Sequence, residues 1–102
     1  MSELYEILKE LNIPVAYHHF IKATTPPYIT YYRSSSNNFY ADNKVYEKNN
    51  TYRIELYTTQ KSVELETQLE EGLDSTDTPY EIVSESYIES EKVYQVIYEV
   101  NI

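Results

Sequence analysis

At 102 residues the chain, taken as residues 1–102, is expected to form a single domain around one modest core, with no room for a separate catalytic domain. Eight basic against seventeen acidic residues leave a net charge of -9, which opposes affinity for a phosphate backbone and argues against DNA or RNA as a direct ligand. The absence of cysteine excludes disulfides, thiolate catalysis and Cys-based zinc sites, and the single glycine, Gly72, excludes the glycine-rich loops that close on phosphates.

The chain opens with Ser2, which is placed to cap a first helix, with Glu3 and Glu6 near its positive end. Leu4, Ile7, Leu8 and Leu11 recur at helical spacing and predict a helix near residues 3 to 12. It should end near Asn12, because Pro14 disfavours helical geometry at Ile13. No run of about 18 apolar residues follows, and the opening residues are not basic, so neither a membrane span nor a signal peptide is expected.

Val15 to Ile21 reads as a short strand or extended segment carrying His18 and His19. Adjacent strand residues point to opposite faces, so the two histidines are expected to be structural rather than joint ligands of one metal. Thr24-Thr25-Pro26-Pro27 is a loop, since two prolines remove two backbone donors and favour extension. Tyr28 to Arg33 is rich in β-formers and predicts a strand stopped by Ser34-Ser35-Ser36-Asn37-Asn38. Phe39-Tyr40 and Val45-Tyr46 flank Asp42-Asn43 and predict a small hairpin, followed by a polar turn from Glu47 to Asn50.

Thr51 to Thr59 alternates with period two, placing Tyr52, Ile54 and Leu56 on one face and Arg53, Glu55 and Tyr57 on the other. This is the signature of a half-buried strand. A second helix is predicted from Gln60 to Leu73, capped by Thr58 or Thr59, with Leu65, Leu69 and Leu73 as its buried stripe. Glu64, Glu66, Glu70 and Glu71 then read as a solvated face. The loop from Asp74 to Pro79 lacks the ligand spacing of a calcium site. Tyr80–Ile88 and Lys92–Ile102 predict two final strands joined by a short turn at Glu89-Ser90-Glu91.

The order of elements is not a regular βαβ alternation. It predicts an α+β fold, an antiparallel-dominated mixed sheet with two helices packed mainly on one face, whose core includes Leu8, Leu11, Ile54, Leu56, Leu65, Leu69 and Val96. Thirteen tyrosines against two phenylalanines and no tryptophan admit two readings, half-buried strand residues or a surface hidden in an assembly. No catalytic, metal or cofactor site residue is assigned. His18 or His19 with Asp42 or a glutamate is a pairing that any acidic chain of this size offers by chance, so the expectation is a protein that is not an enzyme and needs no cofactor.

Pro26-Pro27-Tyr28-Ile29, Phe39-Tyr40-Ala41-Asp42-Asn43-Lys44-Val45-Tyr46, Tyr52-Arg53-Ile54-Glu55-Leu56-Tyr57-Thr58 and the run from Tyr87 to Tyr98 give the chain a resemblance to a known family. It resembles the small tail-completion proteins, tail terminators or head-tail joining proteins, of tailed phages and prophages of Gram-positive bacteria, from Leu4 to the C-terminus. The resemblance implies a virion protein assembled in the bacterial host cytoplasm, with a mixed sheet flanked by helices. It also implies a ring, typically a hexamer, whose partners are the tail tube protein and the connector or neck proteins, with DNA passing through and no membrane involved.

A closed ring needs two complementary surfaces per subunit. The glycine-free excursion from Ser34 to Tyr46 is one candidate patch, with Phe39, Tyr40, Asp42 and Tyr46 as candidate interface residues. The acidic charge would keep free subunits apart and let DNA pass a channel without sticking. The alternative, on charge alone, is an acidic phage-encoded module that occupies a basic host protein.

Overall fold

The computed structural model describes residues 2–36, 39–41, 44–47 and 50–101, with side chains described for 4–34 and 50–101. The elements run α1 (Ser2–Lys9), β1 (Val15–Tyr17), β2 (Tyr28–Ser36), β3 (Phe39–Ala41), β4 (Lys44–Glu47), β5 (Asn50–Thr58), α2 (Val63–Ser75), β6 (Tyr80–Ile88) and β7 (Val93–Asn101). The fold is α+β: a five-stranded mixed sheet in the order β1-β2-β5-β7-β6, a separate β3-β4 pair, and two helices. Within the large sheet the β1–β2 pairing is parallel, and the other three are antiparallel.

The alternation in β5 decides which face is inside. Tyr52, Ile54 and Leu56 are buried, and their neighbours in register, Tyr31 and Ile29 on β2 and Val100, Tyr98 and Val96 on β7, are buried with them. Leu4, Ile7, Leu8 and Leu11 from the α1 region and Leu69 and Leu73 from α2 complete the same cluster, so both helices cover one face. Each fully buried leucine or isoleucine in this layer stabilises the fold by about 1.5–3 kcal/mol relative to exposure. The core residues expected from the sequence are all there, with Leu65 packed at the margin rather than enclosed.

The chain's one glycine sets how closely the helices meet. A Cβ on Gly72 would stand 3.1 Å from Ile7 Cγ2, tighter than ordinary van der Waals contact, so a larger residue there would push α1 off α2.

Element ends depart from expectation for identifiable reasons. The α-helical part of α1 stops at Lys9, and its last turn tightens, with the Leu11 and Asn12 N–H groups donating to the carbonyls of Leu8 and Lys9. Asn12 then takes φ 58, a left-handed residue past the helix end. Ser2 falls inside the helix, and its side chain lies outside the described residues. β2 runs on through Ser36 instead of ending at Arg33, because Ser35 and Ser36 still pair with Thr51 and Asn50 across an irregularity at Ser34.

The start of α2 is the larger correction. Thr58 is still in β5, opposite Tyr94 and buried, so it cannot cap a helix. Ser62 does so instead: its backbone is extended, and its hydroxyl accepts from the Leu65 N–H. The acidic face of α2 is also only partly solvated. Glu64 and Glu71 are exposed, but Glu66 pairs with Lys61 at 2.7 Å, and Glu70 accepts from the Tyr98 hydroxyl at 3.0 Å and the Tyr80 hydroxyl at 3.5 Å. Burial first, and then the hydrogen bond to Glu70, push the Tyr98 phenol well above its ordinary value.

Candidate functional site

The uncovered face of the sheet is built in three rows, because residues facing away from the helices align across β2, β5 and β7. Tyr28, Tyr57 and Gln95 form the first row, Thr30, Glu55 and Ile97 the second, and Tyr32, Arg53 and Glu99 the third. In the first row the rings of Tyr28 and Tyr57 stack with centroids 4.9 Å apart, and Gln95 Nε2 donates to the Tyr57 hydroxyl at 2.8 Å. That hydroxyl donates in turn to Glu55 Oε1 at 3.2 Å, which also accepts from Thr30 Oγ1 at 3.1 Å. In the third row Arg53 Nη2 meets Glu99 Oε2 at 2.8 Å.

Partial burial, with the Glu55 carboxylate adding to it, pushes the Tyr57 phenol up to about 12. It stays protonated through the physiological range and serves as a fixed hydrogen-bond donor rather than a titrating acid. Glu55 is held in place by the two hydroxyls that donate to it. The chemistry available here is ordered polar recognition.

The segment after β1 folds over one end of this face and borders an open recess of about 380 Å³ lined by the His18–Thr24 stretch, Tyr28, Glu55, Tyr57 and Glu91. The premise that His18 and His19 point to opposite faces of a strand does not hold here. β1 ends at Tyr17, His18 takes φ 72, and the His19 N–H donates to the Tyr17 carbonyl at 2.8 Å, a γ-turn that interrupts the strand's alternation. The rings therefore come together instead of pointing apart: Nδ1 of His18 lies 3.0 Å from Nδ1 of His19, so one carries the proton and the other accepts it. Among the described residues, no group of three His, Asp or Glu side chains gathers closely enough to hold a metal ion.

A second recess, a 650 Å³ groove between α1 and α2, is bounded by Glu6, Glu10, Gln68 and Glu71 over an apolar floor at Ile7 and Leu11. It lies on the far side of the helices from the polar rows.

Of the candidate interface residues, Phe39 and Tyr40 lie in β3 and Tyr46 in β4, the hairpin read from the sequence. Phe39 pairs with Glu47 and Tyr40 with Val45. Asp42, and the side chains of all four, lie outside the described residues. Because Ser36 closes the β2–β5 ladder against Asn50, this hairpin is an excursion from the end of that ladder.

The sheet edges were missed from the sequence. β6 is an edge strand nine residues long, exposed along nearly its whole length, with Ile82, Val83 and Tyr87 about half exposed. β1, three residues long, is the opposite edge, and the segment after it carries Ile21 at 96% exposure. A regional charge count would have flagged these edges: from Leu11 to Ala41 there is no acidic residue, and between Lys61 and Lys92 there is no basic one.

No family model and no curated protein matches this chain.

Proposed function

We propose that this protein is a structural virion subunit of a tailed phage or prophage, forming a ring at the neck or tail end that terminates the tail or joins it to the head. The observation that supports this most is where the resembling segments fall. Tyr28-Ile29 opens β2, the Phe39–Tyr46 run spans β3 and β4, Tyr52–Thr58 is β5, and Tyr87–Tyr98 runs from the end of β6 into β7. The likeness therefore lies on the strand scaffold of a mixed sheet flanked by helices, the architecture that the resemblance implies.

The arrangement of surfaces supports the same reading. One face of the sheet is covered by helices over β2, β5 and β7, the other carries a fixed polar network, and among the described residues both edges are open, which suits a part that acts by contact. The ring, a hexamer by the resemblance, would meet the tail tube protein on one side and the connector or neck proteins on the other. The deciding experiment is imaging of particles made without this gene product. Unjoined heads and tails, or tails of irregular excess length, are expected. Infectious particles with joined heads and tails of normal length overturn the proposal.

The acidic side formed by α2, β6 and the turn after it favours one competing reading, a module that occupies a basic host protein. Purified virions separate the two, because a ring subunit is present in stoichiometric amounts and an inhibitor is absent.

A further inference from the structure

The two open edges of the sheet carry opposite electrostatic character. On the β1 side, the whole run from Leu11 to Ala41 lacks an acidic residue and includes His18, His19, Lys22 and Arg33. On the β6 side, the run from Ser62 to Glu91 lacks Lys and Arg while Asp or Glu recurs every few positions, Glu81 and Glu85 lying on the edge strand itself. The fold puts these two runs at opposite ends of the strand order.

Both edges also expose large apolar side chains. Ile21 and Tyr17 are 96% and 47% exposed at the β1 edge, and Ile82, Val83 and Tyr87 are 52%, 45% and 46% exposed at the β6 edge. Among the described residues nothing pairs with the outer side of the nine-residue β6, which in a lone subunit is a template for another chain. What it would pair with is selected by charge. A second β6 would set Glu81 near like charge, although Glu85 is already paired with Lys61 at 2.9 Å, whereas the β1 edge presents Lys22, with Glu55 and Glu91 lining the recess beside it.

We propose that the β6 edge of one copy docks against the β1 edge and its Ile21–Lys22 segment on the next copy, a head-to-tail contact between two different surfaces of the same chain. Such a contact repeats from subunit to subunit and either closes into a ring or grows as a filament. Closure rests on the function proposed above; the pairing of edges does not. The β6 irregularity between Ile82 and Ser84 and the Glu81 carboxylate resist uncontrolled pairing of β6 with itself.

The chain has no cysteine, so Ile21→Cys and Val83→Cys each introduce a unique thiol at an exposed position. The two variants are mixed in equal amounts over a concentration series up to the solubility limit and treated with a short bismaleimide. Cross-linked peptides are then counted by mass spectrometry, with folding of each variant checked by circular dichroism. Position 21 to position 83 linkages are expected to exceed either same-site linkage by about tenfold, and Glu81→Lys on the Val83→Cys chain is expected to reduce them. Same-site linkages at equal abundance, or no linkage between chains at any concentration, overturn the proposed contact. A chain carrying both cysteines separates the two proposals: a ladder of products that stops at a fixed number supports the ring, and a ladder without end leaves the edge contact standing and removes closure.

Discussion

Leu69 has none of its side chain exposed and sits in the cluster shared by α1, α2 and three strands, so shortening it opens a cavity where no neighbour is free to fill it. Leu69→Ala is expected to destabilise the fold by about 2 to 5 kcal/mol, read from the midpoint of urea unfolding. A loss well under about 1 kcal/mol would mean that the site collapses around the smaller residue. Tyrosines supply the pH dependence. Tyr57 and Tyr98 both hold their protons above the ordinary value of 10.0, Tyr57 up to about 12, so in strong alkali the unfolded chain gives up these protons first. The folded state then binds more protons than the unfolded one, and stability falls as pH rises. Their contribution is complete below about pH 10 and is lost on the way through the raised values. Unfolding midpoints measured across this range should fall less steeply in Tyr57→Phe than in the parent chain.

Among the elements, α2 is the one whose start the sequence misplaces, and its cap is the part most open to test. Threonines 58 and 59 are good capping residues standing just before the Leu65-Leu69-Leu73 stripe, yet the ladder between β5 and β7 claims Thr58 and pushes the helix start to Ser62. Ser62→Ala leaves the Leu65 N–H without its acceptor and is expected to cost about 0.5–2 kcal/mol. Thr59→Ala, by contrast, should change thermal stability little, because Thr59 is exposed and outside the helix. β1 shows the same competition in the other direction. Apolar residues up to Ile21 suggested a longer strand, but the γ-turn at His18 cuts it to three residues and turns Ile21 out into solvent.

For the whole molecule, stability rests on one layer of apolar side chains between the sheet and its two helices, and none of these groups requires an ion. Melting temperature is expected to stay nearly constant in chelator and in added zinc, calcium or magnesium; a large saturable rise with any one of them would identify a site, with the His18-His19 pair as the first place to look. The thirteen tyrosines divide between both sequence readings. Tyr31, Tyr52 and Tyr98 are core residues, and Tyr5, Tyr17 and Tyr87 remain exposed. The composition therefore records two demands, a half-buried sheet and a surface with aromatic side chains left to cover.

Periodicity alone determined the α+β class, both helices, the main strands and nearly all the core, because burial of one face imposes a repeat that local sequence must obey. Tyr52, Ile54 and Leu56 could be assigned to the inside without knowing what lay opposite them. What depended on neighbours distant in sequence could not be read in that way. Pairing with Tyr94 kept Thr58 in a strand, Tyr98 drew Glu70 out of the solvated face, and Tyr28 and Gln95 turned Tyr57 into the centre of a polar network. The strand order was likewise a tertiary decision, and it alone set an acid-free run and an acidic run at the two open edges. Charges along a chain have no direction in space until hydrogen-bonded ladders fix which strand is last.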